Sequence, residues 1–271
     1  MKVLSSSVVV AAVFVAAAMF GVAMSANSQS PPDIGRELAP TGRLRVGVLD
    51  LTYFMAEENG TLTGVIADLG AELARRAGVP SEPIKFANPG KLVEAFKNDA
   101  VDVTFVGVTA DRAAVFDFGP GVIDIRTTYL VPASSPINAI PEVDRDGVRI
   151  LVPQRSAQEA HLKKTLTKAT IINVPVESPK QAVELLGSGQ AEAYSHVVPM
   201  LATAQSTLPG SRILPGSYFN VPVSIGYAKG RSVAVADFCR RFAEDVKASG
   251  FVTQAIARMG VKAQGLVAAG Q

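Results

Sequence analysis

The sequence has no tryptophan, one cysteine and two histidines in 271 residues. A single cysteine, Cys239, excludes an intramolecular disulfide. It stands beside Phe238 in an apolar helical pattern and reads as a small buried hydrophobe rather than a nucleophile. So few His and Cys do not make a structural zinc site, and neither a metal nor another cofactor is expected. Charge is also sparse, at 18% of residues with a formal net charge of +2. There is no basic block and no interleaving of basic with aromatic residues, so nucleic-acid binding is set aside. Hydrophobic residues make up 48%, a globular composition and not a disordered or collagenous one.

The apolar residues are not spread evenly. The chain opens "MKVLSSSVVVAAVFVAAAMFGVAMSANSQS", one Lys followed by an apolar run and then Ala23, Ser25 and Ala26. This reads as a secretory signal peptide over residues 1–26 with a small-residue cleavage site. The alternative is an uncleaved membrane anchor, for which the run is near the lower length limit. No Cys stands at the cleavage site, which argues against a lipoprotein. A flexible leader rich in Pro and polar residues is expected over 27–42.

Beyond it, strand and helix patterns alternate. "RLRVGVLD" reads as a strand ending at Asp50, "GVIADLGAELARRAG" as a helix capped by Gly78, "PIKF" as a strand, "PGKLVEAFKNDA" as a helix and "VDVTFVGV" as a strand. After "TTYLVPASS" the pattern restarts. "GVRILVP" is a strand, "SAQEAHLKKTL" a helix opened by Ser156, and "TIINVPV" a strand. "SPKQAVELLGSG" is a helix with Ser178 as N-cap and Gly187 at its end, and "AEAYSHVV" is a strand. A strand, "VPVSIGYAKG", and a helical stretch from about 233 to 259 follow, with Phe238, Phe242 and Val246 as a core stripe. Two α/β units joined by extended crossings near 128–135 and 221–228 are therefore expected, able to close like a hinge. Ligands of open α/β sheets bind beyond the carboxyl ends of strands, where Asp50, Thr109, Ser156 and His196 fall.

One stretch is chemically odd. In "VGVTADRAAVFDFG" (106–119) an apolar run stops at Gly107, and Thr109 and Asp111 suit a helix start, where free N–H groups favour acceptors. Arg112 does not suit it. Either it pairs with Asp111 or Asp117, or it awaits an external anion.

Four stretches carry a family resemblance: "GRLRVGVLDLTYF", "GTLTGVIADLGAELARRAGV", "NDAVDVTFVGVTADRAAVFDFG" and "SPKQAVELLGSGQAEAYSHVVP". In order and spacing, over about 42–262, they resemble the family 3 solute-binding proteins of bacterial ABC importers, of the periplasmic amino-acid-binding type. The resemblance implies an α/β, two-lobed type II periplasmic-binding-protein-like fold, two Rossmann-like lobes joined by a two-strand hinge. Lobe 1 is expected over 43–130 plus 226–262, lobe 2 over 131–225, and a tail over 263–271. It implies that Arg112 grips a carboxylate as a planar fork, with Gly107, Val108 and Thr109 supplying donors. Asp50, Tyr53 and Phe54 would lie in the aromatic ligand loop, the two rings being equally compatible with ordinary core. Asn88 falls near a second aromatic wall but is not aromatic. Ser156 would face an anion from a helix start, or simply cap it. Arg155 replaces the family's usual Gly and either adds a second cation or is solvated. His196 matches a ligand position of some glutamine-binding relatives.

This chain departs from the pattern at Val197, where α-amino-acid binders of the family place an Asp for the ligand ammonium. It departs again in a shortened segment between Asp102 and Thr109, and at Gly119 in place of Ser. Together these departures count against a standard L-amino acid and leave open a carboxylate without an ammonium or a ligand held in another register, and Asp50 could still supply a negative charge from the other lobe. The implied function is capture of a small carboxylate-bearing solute, an amino acid or organic anion, by a monomeric, soluble periplasmic protein. That protein would deliver it to an inner-membrane ABC permease without covalent chemistry. Two alternatives stay open. One is an enzyme resembling periplasmic cyclohexadienyl dehydratase, with Glu192 and His196 as acid–base candidates. The other is a sensory or accessory binding module.

Overall fold

The computed structural model describes residues 33–154, 156–175 and 179–270. The signal peptide expected over 1–26, Arg155 and the expected N-cap Ser178 lie outside the described residues. Among the described residues, no helix is long and apolar enough to cross a membrane.

The first half contains α1 (Ile34–Leu38), β1 (Leu44–Leu49), the hairpin β2 (Ala56–Glu58) and β3 (Thr61–Thr63), α2 (Val65–Ala77), β4 (Ser81–Phe86), α3 (Pro89–Lys97), β5 (Val103–Gly107) and α4 (Ala110–Ala113). The long strand β6 (Phe116–Val131) leads to β7 (Arg149–Pro153), α5 (Ala157–Thr165), β8 (Thr170–Val174), α6 (Pro179–Gly187), β9 (Ala193–Val197), α7 (Val198–Thr207) and β10 (Arg212–Ile213). The chain returns through β11 (Phe219–Ala228) to α8 (Val233–Ala248), α9 (Phe251–Met259) and β12 (Leu266–Ala268).

Ten strands form one sheet in the order β4-β1-β5-β11-β6-β9-β7-β8, with β10 and β12 both pairing β6. The parallel pairs β1–β4, β1–β5, β7–β8 and β7–β9 make two α/β halves. Antiparallel β6 and β11 join them. Around Ile125–Thr127, β6 exchanges partners: Ile125 pairs with Val221 and Leu266, while Thr127 pairs with Phe219 and Val197. The exchange thus lies before the crossing expected near 128–135.

Local sequence accounts for the helices. In α2, Ile66, Leu69 and Leu73 point into the core, Arg75 and Arg76 fill the last turn, and Gly78 ends it at φ 72°. Gly70 lets α2 lie close on β1, since a Cβ there would meet Val46 Cγ1 at 2.6 Å. The stretch read as one helix over 233–259 is two, because Gly250 takes a left-handed φ of 74° between them. The stretch expected as a flexible leader includes α1, held by fully buried Leu38. Residues 266–268, expected in the tail, form β12 because they find an open edge of β6. Beside them a Cβ at Gly265 (φ 85°) would collide with Val198 of the second half. Cys239 is fully buried in the same apolar cluster as Phe105 and Phe242, and burial pushes its thiol up to about 12.

Each half is also pinned by the same device. Arg45, at the start of β1, donates its backbone N and Nε to Asp102 Oδ2 and its Nη2 to Oδ1 at 2.7 Å. Arg149, at the start of β7, does the same to Glu192, with Nη2–Oε1 2.7 Å. Each acid immediately precedes the third strand of its half. The two pairs differ in depth: the Asp102 side chain is 1% exposed and the Glu192 side chain 35%. Removing one partner of a buried pair strands the other charge. Asp102→Ala strands the partly exposed Arg45 guanidinium, and is therefore expected to cost on the order of 3 kcal/mol in urea unfolding, with Glu192→Ala costing clearly less.

Candidate functional site

β5 ends at Gly107 on the border between the halves, where its partner on β11 is Val223. The one-turn helix α4 follows. Thr109 is its N-cap, its Oγ1 accepting from the Arg112 N–H at 3.4 Å. This short turn bends the Arg112 side chain back, so that Nη1 donates to the Gly107 carbonyl at 2.6 Å. Arg112 makes no ion pair among the described residues. Asp117 instead lies 4.0 Å from Lys229, and Asp111 is exposed. Of the two alternatives open for Arg112, pairing with Asp111 or Asp117 is thus not what the side chain does.

Arg112 is half-buried, and burial lowers its pKa, with the Asp111 charge acting against it. Arginine nevertheless stays charged in proteins. The site therefore presents a partly desolvated cation whose one described side-chain partner is a neutral carbonyl. The buried Tyr53 phenol lies within its electrostatic reach, and burial pushes that phenol up to about 12. Tyr53 in turn tilts against Phe54, ring centroids 4.7 Å apart.

Gly107, Thr109, Arg112 and Tyr53 thus form one connected group. Val108 is exposed beside them, at 48%. Phe54, 3% exposed, belongs to the core. Asn88 caps α3, its Oδ1 accepting from Lys91 N at 3.0 Å, and is exposed. Asp50 is exposed beyond the end of β1, its N–H on the Phe86 carbonyl. Ser156 caps α5 by accepting from Glu159 N at 3.1 Å. His196 ends β9 half-buried, edge-on to Tyr194 at 5.7 Å, with Nδ1 accepting from Val197 N at 2.8 Å. Asp50, Asn88, Ser156 and His196 make no described hydrogen bond to the Arg112 group. Arg155 lies outside the described residues.

Sequence reasoning missed the contribution of β11. A Cβ at Gly107 would meet Arg112 Nη1 at 3.6 Å, and the Pro222 carbonyl and Val221 Cγ1 at 3.8 Å. Val221 and the Arg112 guanidinium thus border the same point beside Gly107, a relation that only strand pairing reveals. Val197 is 5% exposed and packs in the cluster that holds Ile125 and Leu266, so this position is core. Glu192 is engaged by Arg149 at the amino end of β9, and that guanidinium lowers its pKa. Its alternation with His196 does not make an acid–base pair, because Glu192 precedes β9 and is held by Arg149, while His196 lies near the other end of the strand.

Burial holds the His196 imidazole down to about 4, against 6.5 for a free side chain. Between those values the unfolded chain binds a proton that the folded one does not. Stability is therefore expected to fall as pH drops from about 6.5 towards 4 and to be unaffected by this group above 6.5. Thermal melts of His196→Asn should show a shallower dependence in that window, and imidazole NMR at pH 7 should show neutral His196.

The sequence matches the bacterial extracellular solute-binding proteins, family 3, over residues 44–260. No curated protein matches it by sequence. Among solved structures, it is similar to an amino acid ABC transporter substrate-binding protein of Streptococcus pneumoniae bound to L-arginine. That match has 18% identity and TM-score 0.58, covering 83% of this chain and 98% of that one. It is similar to the solute receptor for L-cysteine of Neisseria gonorrhoeae, at 18% identity and TM-score 0.60, covering 86% of this chain and 95% of that one. It is also similar to an ancestral amino-acid-binding protein described as a precursor of cyclohexadienyl dehydratase. There identity is 22% and TM-score 0.59, covering 83% of this chain and 98% of that one. The fold is the type II periplasmic-binding-protein fold, with two α/β lobes joined through β6 and β11. The chain belongs to the family 3 bacterial extracellular solute-binding proteins.

Proposed function

We propose that this protein captures a small carboxylate-bearing solute between its lobes in the periplasm and delivers it to an inner-membrane ABC permease. The observation that carries this reading is the half-buried Arg112 guanidinium at the end of β5. It is bound to the Gly107 carbonyl and has no carboxylate partner among the described residues. A carboxylate fits that fork, and the pair strengthens as closure removes water. Thr109 keeps a hydroxyl hydrogen to donate to the same anion, since its oxygen accepts from the Arg112 N–H. Ser156 follows the carboxyl end of β7 and His196 lies near that of β9 in the second lobe, and Asp50 follows the end of β1 in the first, where they could meet the same solute. The neutral His196 imidazole adds a hydrogen-bonding group and no charge.

Closure around the solute couples binding to delivery, because a permease that prefers the closed form selects the loaded protein. Family membership and likeness to proteins described as ABC transporter components support this role. The signal-peptide pattern of residues 1–26 supports export.

Thermal denaturation with an extrinsic dye tests the site. The panel is amino acids, keto acids, dicarboxylates and aromatic acids. A solute at a hundredfold its dissociation constant is expected to add about 2.7 kcal/mol, roughly 5–10 °C in midpoint for a chain of this size. Arg112→Ala is expected to erase that shift while leaving the unliganded midpoint nearly unchanged. A shift that survives Arg112→Ala rules Arg112 out as the anchor.

A further inference from the structure

The face of β11 beside Arg112 continues into an aromatic surface. Gly107 pairs with Val223, and strand alternation puts positions 223, 221 and 219 on one face of β11. Val221 Cγ1 and Arg112 Nη1 both lie within 4 Å of where a Gly107 Cβ would stand. Phe219 follows on the same face, about 7 Å further along the strand. His161 of α5 lies nearly parallel on the Phe219 ring, centroids 4.6 Å apart and planes at 22°. Tyr218 flanks the imidazole at 5.7 Å. Val221 is half-buried at the edge of the first-half core, and Phe219 is half-buried in its stack with His161.

The opposing positions on this face are Ile125 and Thr127 of β6 and Val197 of β9. None carries a charge, and the Thr127 hydroxyl donates to the Phe219 carbonyl. The acid of α5, Glu159, is engaged by Lys163 and Asn173, each at 2.6 Å. Asp50 and Asp111 are exposed. Among the described residues, this strip thus has the Arg112 cation at one end, with the exposed Asp111 in its electrostatic reach, and an aromatic stack at the other, with half-buried Val221 between them and no carboxylate at the positions paired with it.

From this geometry we infer that the solute is an aromatic monocarboxylate without an ammonium group, its carboxylate on Arg112 and its ring against Val221 and the Phe219–His161 stack. The inference rests on Arg112 being the carboxylate anchor and adds the chemistry of the solute's body. A ring gains area burial and an aromatic contact on this strip. An ammonium on the same strip loses its hydration with no counter-charge to replace it.

Isothermal titration of the purified protein with phenylacetate, isovalerate and L-phenylalanine tests this. The proteins are wild type, Phe219→Leu, His161→Ala and Arg112→Ala, each checked for folding by far-ultraviolet circular dichroism. Phenylacetate is expected to bind at least about tenfold tighter than either competitor. Phe219→Leu is expected to bring phenylacetate down to the level of isovalerate, and His161→Ala, the independent probe of the same stack, to move it in the same direction. The inference is overturned if L-phenylalanine binds as tightly as phenylacetate, if both stack variants leave the preference unchanged, or if none of the three ligands binds. Loss of isovalerate or L-phenylalanine binding in Arg112→Ala alongside such a result keeps the anchor and discards only the aromatic class. Binding that persists in Arg112→Ala discards the anchor itself.

Discussion

The antiparallel pairing of β6 with β11 is the constraint on which the rest of the molecule depends. The two strands pair from Phe219↔Thr127 to Ala228↔Phe116, with register shifts between Val223 and Ser224 and between Ser224 and Gly226. Along that length they change neighbours. β5 flanks β11 in the first lobe, while β9 and β10 flank β6 in the second. One ladder therefore places the carboxyl ends of strands from both lobes on either side of a shared seam. β12 adds a third strand where the exchange occurs, with the Arg126 N–H on the Gly265 carbonyl and Val198 against Gly265.

Charge is distributed in two ways about this frame. Arg45–Asp102 and Arg149–Glu192 are neutralised in pairs that tie the start of one strand to the start of another. Both lie at the amino ends of the parallel strands, away from the seam. Arg112 lies at a carboxyl end, is partly desolvated and has only a carbonyl for a described side-chain partner. The same residue type thus braces the fold at one end of a strand and stands without an ion-pair partner among the described residues at the other. Desolvating a cation without a counter-charge is costly.

Much of this was readable from the sequence, and particular residues show why. Ile66, Leu69 and Leu73 announce α2, Gly78 ends it, and the Arg112 anomaly lies within one short stretch, because periodicity and capping act between near neighbours. Asn88 and Phe54 show the limit. A capping Asn and a core Phe have the same local sequence signal as ligand residues, and only hydrogen bonding and burial separate the roles. Glu192 and His196 looked paired by alternation, yet Arg149, 43 positions away, claims the acid.

The sequence by itself determined the two α/β halves, the extended crossings and an arginine placed where a helix start favours anions. These are set by spacing within a dozen or so residues. Tertiary structure alone decided that Arg112 finds no ion-pair partner among the described residues, that Val197 is core, and that Val221 and Phe219 share the face of β11 that passes Gly107. The places of Val197, Val221 and Phe219 depend on the register between strands many tens of residues apart in the chain. No local pattern encodes that register, since a shift of one residue would turn each of these side chains to the opposite face.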